Sequence, residues 1–266
     1  MKKYPDQHVH TEFSPDAEAY LEQYLVTAKE LGLEYLMVTD HRDFGNPHPL
    51  FLDPIDYDHY FKVLKEQEEK HGMPIRIGVE IGYGAKYREE IEDFLNQYPF
   101  DFVIASIHNG EGKCFYSGDF FEGKGQHESY YEYFKLVLDM VQNFSNYDVI
   151  GHLDYITRYG PFDNKVYSFS DFQDIIDRIL GIVIENNKGI ELNTSGLRGE
   201  LKTRFPKDGL LLRFKELGGK VITVGSDCHT NNDYLSGVSD GIKHLKSLGF
   251  TEVSAFNRRK REVIKI

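Results

Sequence analysis

Two imidazoles one residue apart, His8 and His10, open the chain. Side chains at i and i+2 of an extended strand share a face, so both rings can reach one metal ion. A second pair with the same spacing, Asp227 and His229, stands near the far end. It follows Val221-Ile-Thr-Val-Gly, an apolar, β-branched run that reads as a buried strand. The two pairs predict one site closed by the first and last strands. Between them the same chemistry recurs: Asp16 follows the first pair, and His41, Glu80, His108 and His152 each stand at or just beyond an apolar run.

Each of these residues alone has an ordinary reading. His8 or His10 could be core histidines, His41 and His108 could open loops, and Glu80 could pair with a nearby lysine. The joint pattern decides, because packing alone does not set six histidines and three acids on successive strand ends. His48, His59, His71, His127 and His244 fall in loops or helical patterns and are read as ordinary residues. Mixed imidazole and carboxylate donors suit Zn, Mn, Fe or Co; Ca and Mg prefer oxygen alone. Cys114 and Cys228 are too few for a thiolate zinc site, and on a strand Cys228 points away from its Asp and His neighbours, as a small buried hydrophobe would. Nine donors are too many for one ion and about right for three. Three divalent ions against three carboxylates leave a cationic centre, which would draw in a phosphate dianion.

The elements that must position these groups alternate. Ser14-Pro15-Asp16 reads as a helix start, with Leu21, Leu25, Ala28 and Leu31 at helical spacing until Gly32. A strand-like run over 34–41 follows, then a loop holding Pro47, Pro49 and Pro54, then a helix from about Tyr57 to Gly72. Strand-like runs over 75–80, 102–108, 148–152 and 189–194 are separated by helical patterns, one of which Ser170 is expected to cap. Seven strand-like runs with intervening helices predict parallel strands and crossover helices, and a closed barrel more readily than an open sheet. Functional groups gather at the C-terminal ends of barrel strands, where these donors fall. Arg258, Arg259, Lys260 and Arg261 read as a solvated basic tail.

At 266 residues, 40% hydrophobic and 28% charged, the chain fits one α/β domain over 1–266 with a real core. A formal charge of −12 argues against nonspecific nucleic-acid binding. No run approaches the roughly 18 apolar residues of a membrane span, and Met1-Lys2-Lys3-Tyr4 shows no apolar leader, so the expected location is the cytoplasm. Two cysteines fit a reducing compartment. No obligate protein partner is implied.

His8-Val-His10-Thr, Thr39-Asp-His41, the Glu80 strand, Ser106-Ile-His108, Gly151-His152 and Ser226-Asp227-Cys-His229 together resemble the motifs of the polymerase-and-histidinol-phosphatase (PHP) superfamily, in order and across the whole chain. The segments 13–16, 108–110 and 152–160 are most similar to stand-alone histidinol phosphatases. The resemblance implies a distorted, TIM-like (β/α)7 barrel with three metals. His8, His10, Glu80 and Asp227 would hold the first; Glu80, His108 and His152 the second; Asp16, His41 and His229 the third. It also implies hydrolysis of L-histidinol phosphate to L-histidinol and phosphate in histidine biosynthesis, with a metal-activated hydroxide as nucleophile. Alternatives are another phosphate ester (a nucleotide, a nucleic-acid end or phosphotyrosine) or a non-catalytic, metal-stabilised barrel. Phosphate favours planar bidentate donors, and Arg158 and Arg198 lie just past strand ends, so both are expected to bind substrate. Asp40, beside His41, is a candidate to orient a ligand through a hydrogen bond, although an i, i+1 neighbour on a strand points the other way.

Overall fold

The computed structural model describes residues 4–266; 1–3, read above as part of a start with no apolar leader, lie outside the described residues. The strands are β1 (Leu36–Val38), β2 (His41–Asp43), β3 (Ile75–Gly82), β4 (Phe102–Ser106), β5 (Asn109–Gly110), β6 (Lys113–Cys114), β7 (Val149–Ile150), β8 (Gly189–Asn193), β9 (Ile222–Gly225), β10 (Glu252–Asn257) and β11 (Lys260–Lys265). The helices are α1 (Leu21–Glu30), α2 (Tyr57–His71), α3 (Arg88–Gln97), α4 (Gln126–Asn143), α5 (Gln173–Glu185), α6 (Asp208–Glu216) and α7 (Val238–Ser247). The main sheet runs β1-β3-β4-β7-β8-β9, all parallel. β1 and β2 share one position beside β3: the run expected as a single strand is broken at Thr39-Asp40, where Thr39 N–H turns to Val9 O.

That turn helps to close the sheet. Residues 7–10 lie between its two edges: Gln7 N–H donates to Val224 O, Asp227 N–H to His8 O and His10 N–H to Cys228 O, while Val9 accepts from Thr39 on the other side. The seven strand positions read from sequence therefore form a curled parallel sheet of the distorted TIM-like kind, and the first and last runs do meet. Among the described residues no helix is long and apolar enough to cross a membrane.

The helices follow their apolar spacing, but two starts differ from expectation. α1 buries Leu21, Tyr24, Leu25 and Ala28 and stops before Gly32, whose φ of +65° suits a residue without Cβ. It begins at Leu21 and not at Ser14-Pro15-Asp16, because the Ser14 hydroxyl is committed to Asp40; Leu21 N–H goes to Glu12 instead. α5 buries Ile175, Ile176, Ile179, Leu180 and Val183, yet Ser170 does not cap it: its hydroxyl pairs with Ser168, and Phe172 precedes the helix. α2 shows the usual solution, with Asp56 accepting His59 N–H and Gly72 left-handed at the end.

The C-terminal segment is not a solvated tail. β10 and β11 pair in an antiparallel hairpin, and Ala255 and Phe256 pack with Met37, Phe102, Ile104 and Val149 at the N-terminal end of the barrel. Phe256 stacks on Phe102 at 5.0 Å. Arg259 Nε donates to Asp148 at 2.6 Å and Arg261 Nε to Ser254 at 2.7 Å, so two of the basic residues hold the hairpin in place. Along β4 the alternation then climbs from floor to site: Phe102 and Ile104 belong to the floor cluster, and the next residue on that face, Ser106, donates to Glu80.

Candidate metal centre

Glu80 is 1% exposed and stands at the middle of the donors. Its Oε2 lies 3.2 Å from His8 Nε2 and 3.5 Å from His10 Nε2. Its Oε1 lies 2.9 Å from His152 Nε2 and 3.2 Å from His108 Nε2. Asp227 Oδ1 completes the first group, 3.4 Å from His10 and 3.8 Å from His8. A third group forms at the rim, where Asp16 Oδ2 is 3.3 Å from His229 Nε2 and 3.6 Å from His41 Nε2. All nine residues read from sequence are thus brought together.

These separations fit metal coordination. Donors around a tetrahedral ion with bonds of 2.0–2.1 Å stand about 3.3 Å apart. The ring orientations agree. His8 Nδ1 donates to Glu191 at 2.7 Å. Ser14 Oγ gives its only hydrogen to Asp40 at 2.7 Å, so it accepts from His10 Nδ1 at 3.1 Å. Both Nε2 atoms then face each other at 3.0 Å, and two lone pairs do not meet at that distance unless a proton or a metal cation lies between them. The buried His41 Nδ1 has no hydrogen-bond partner, although Glu80 Oε2 is 3.2 Å away.

The electrostatics favour a cation. Burial works against the Glu80 carboxylate, but His8, His108 and His41 outweigh it and hold it well below the usual range. Asp227 is likewise held low against burial, chiefly by His8. Burial, aided by His229 and His41, pushes His10 down to about 3, which leaves the neutral ring that a ligand must be. Burial would also lower His8, but Glu191, Glu80 and Asp227 raise it overall, so without a metal a proton offsets the carboxylates there.

Backbone strain marks the same places. His152 has φ +23° and Asp227 φ +54°, positions that cost on the order of 1–3 kcal/mol each for residues with a Cβ. Both lie just beyond short strands, and the strained turn brings their side chains to the cluster. His152 N–H is held by Glu191 Oε2 at 3.0 Å.

The two arginines have different surroundings. Arg158 lines the cavity over the donors with Tyr155 and Tyr159, lies 5.4 Å from the Tyr155 ring centre, and donates to Ser195 Oγ at 3.1 Å. Arg198 Nη2 donates to the carbonyls of Ser226 and Asp227 at 2.8 and 2.9 Å, and Arg198 is not among the residues lining that cavity.

The PHP domain family matches residues 6–195 of this chain. The chain belongs to that family. A histidinol-phosphatase of Lactococcus lactis is 38% identical over 264 residues, 98% of this chain and 96% of the relative. The crystal structure of histidinol phosphate phosphatase from Lactococcus lactis, complexed with zinc, L-histidinol and phosphate, superposes with a TM-score of 0.89 at 34% identity, covering 98% of this chain and 99% of that one. A putative histidinol phosphatase of Listeria monocytogenes shares the fold, with a TM-score of 0.76 at 23% identity over 89% of this chain and 99% of its own.

Several residues of this PHP domain escaped the sequence reading. Asp43 holds His108 Nδ1 at 3.0 Å and groups with His41 and His108 as a further potential donor. Its signal was there, two residues after His41 on the same strand face. Glu191 braces His8 and the His152 backbone, and Asn193 Nδ2 links Glu191 to Asp227 at 3.0 and 3.3 Å. Tyr155 stacks on His152 at 4.3 Å. Asp40 accepts from Ser14 Oγ, which accepts from His10 Nδ1, so Asp40 steadies the His10 ring through Ser14 and not the adjacent His41 ring.

Proposed function

We propose that this metal-dependent phosphatase hydrolyses L-histidinol phosphate to L-histidinol and inorganic phosphate, in histidine biosynthesis, at a centre of three divalent transition-metal ions. The observation that carries the reading is Glu80, one buried carboxylate whose two oxygens serve two separate imidazole pairs, as a residue bridging two ions would. The choice of ester rests on the Lactococcus lactis relatives. His8, His10, Glu80 and Asp227 would hold one ion, Glu80, His108 and His152 a second, and Asp16, His41 and His229 a third. Zn, Mn, Fe and Co all suit these donors, and zinc has the support of the solved relative.

Bound ions supply an acidified water as nucleophile and neutralise phosphate charge. The chain's own residues do the rest. Arg158 stays charged, because Tyr155 and Asp227 outweigh the burial that opposes ionisation, and it faces the cavity where a phosphate would lie. Glu191, Asp43 and the Asp40–Ser14 pair orient His8, His108 and His10, so little reorganisation remains on binding. The partner is a small phosphate monoester. The two buried free cysteines accord with a reducing, cytoplasmic setting.

The test is a phosphate-release assay over histidinol phosphate, sugar phosphates, nucleotides and phosphotyrosine, with elemental analysis of the same preparation. The reading expects histidinol phosphate to give the highest kcat/KM and the metal content to approach three ions per chain. Preference for another ester refutes the substrate, and full activity after chelation refutes the mechanism.

A further inference from the structure

A cavity of about 120 Å3 lies behind the strand ends that carry the donors, and it shares no lining residue with the space over the donors. Asp43 and His108 turn toward the metal-binding cluster and bond to each other. Their chain neighbours Phe44, Ile107 and Asn109 line this cavity instead, as alternation along extended chain dictates. The cavity wall is bonded to the same strands: Phe44 N–H donates to Gly82 O, and Tyr83 N–H to Ser106 O.

The lining holds polar groups with bonds still to make. Asn109 is 6% exposed, and its Oδ1 accepts Gly112 N–H at 3.1 Å, which fixes which way the amide points. Its Nδ2 is then a buried donor without a hydrogen-bond partner, and such groups in folded proteins call for an explanation. Lys86, beyond β3, and Glu111, in the β5–β6 turn, border the cavity, and among the described residues their side chains make no hydrogen bond or ion pair. Asp139 of α4 adds a second carboxylate, held by Asn143 at 2.9 Å. The remaining wall is apolar, with the rings of Phe44, Tyr83 and Tyr87 and the side chain of Leu136. The Tyr87 ring is laid on Gly45, where a Cβ would stand 2.3 Å from it, so that wall depends on glycine.

Charges of both signs on an apolar lining select the occupant. A ligand of one sign alone meets a like charge, whereas a zwitterion satisfies both. The volume is well below the roughly 300–1,000 Å3 of drug-sized sites, so the occupant is small. We infer that this cavity is an effector site for a small α-amino acid, separate from the metal centre. The carboxylate is matched by Lys86 and the Asn109 amide, the ammonium by Glu111 and Asp139, and an apolar side chain by Phe44 and Tyr87. Occupancy is felt at the metal centre because Asn109 and His108 are bonded neighbours, as are Phe44 and Asp43. By linkage, phosphate at the metals must then alter the affinity for the amino acid by the same factor.

Calorimetric titration of the metal-loaded enzyme with the common L-amino acids tests the inference. At least one with an apolar side chain should bind saturably. For L-leucine, the matching controls are 3-methylbutylamine, which lacks the carboxylate, and 4-methylpentanoate, which lacks the ammonium; both should bind about tenfold more weakly or worse. Lys86→Ala and Asp139→Asn should each weaken amino-acid binding about tenfold, and Leu136→Trp, which fills the cavity, should abolish it. Saturating inorganic phosphate should shift the amino acid's Kd, and the amino acid should shift kcat/KM for the ester, each by about fivefold or more in wild type and not in Leu136→Trp. That variant also reveals any effect due to chelation of metal by the amino acid. Absence of saturable binding, equal binding of the amine or the acid alone, or binding unchanged in all three variants overturns the site. Binding that moves neither the phosphate linkage nor kcat/KM overturns its role as an effector site. Calorimetry does not depend on turnover, so its failure leaves the phosphatase reading standing.

Discussion

Glu80 matters because it is charged, buried and shared, and substitution can separate these properties. Glu80→Gln keeps the shape but removes the charge between two imidazole pairs, so metal content and turnover should both fall to near zero while far-UV circular dichroism stays native. Near-normal turnover would reduce Glu80 to a strand residue with local partners. Glu191→Gln is the subtler test, since Glu191 touches His8 only through Nδ1. Loss of such an orienting acceptor typically weakens metal binding about 10–100-fold, measurable by competition with a chelator. The two arginines should also part company. Arg158→Ala should lower kcat/KM by the equivalent of about 2–5 kcal/mol with metal content intact, as a charge-assisted phosphate contact is lost. Arg198→Ala should instead lower metal content, because Arg198 holds the carbonyls of the turn that carries Asp227. Loss of metal in Arg158→Ala, or its retention in Arg198→Ala, would reverse these roles.

At the scale of elements, the site depends on short strands whose ends are strained and whose far ends are plugged. The β10–β11 hairpin supplies that plug and is pinned by Arg259 on the buried Asp148, which also accepts Val103 N–H at 2.8 Å. Arg259→Met would leave the carboxylate without its charged partner. A lost hydrogen bond to a charged group costs about 1.5–3 kcal/mol. For a chain of this size that predicts a fall in Tm of about 4–10 °C. Differential scanning calorimetry decides it: an unchanged Tm would mean that the half-exposed arginine contributes little, as many surface pairs do.

For the whole molecule, the centre joins segments from both ends of the chain. His8 and His10 meet Asp227 and His229 in one cluster, so a cation there ties the first strand to the last. An ion that binds only the folded chain adds about 2.7 kcal/mol of stability at a concentration 100 times its Kd. Chelation should therefore lower Tm by about 5–10 °C for each such site emptied, and added zinc should restore it. A Tm indifferent to chelator would show that the proton on His8 and the surrounding hydrogen bonds hold the barrel closed unaided.

Much of this was legible in one dimension. The i, i+2 spacing of His8 with His10 survives into the structure because extended geometry is local, whereas Asp227 joins His229 in the cluster through a turn beyond the strand end, at φ +54°. The donors at 41, 80, 108 and 152 were found because parallel strands deliver their ends to one rim. Asp43 was within reach of the same rule, two residues beyond His41. Other features needed the third dimension. Glu191 and Asn193 sit within an apolar strand, and only closure of the barrel shows that they face His8 and Asp227. Ser14 and Ser170 looked like helix caps, but a hydroxyl goes to whichever acceptor is nearest, and for Ser14 that is Asp40, 26 residues away. Arg259 looked like part of a solvated tail until folding brought it to Asp148, 111 residues earlier in the chain. Periodicity and spacing describe what the backbone does over a few residues, whereas hydrogen-bond partners and buried charges are chosen by proximity, which only tertiary structure decides.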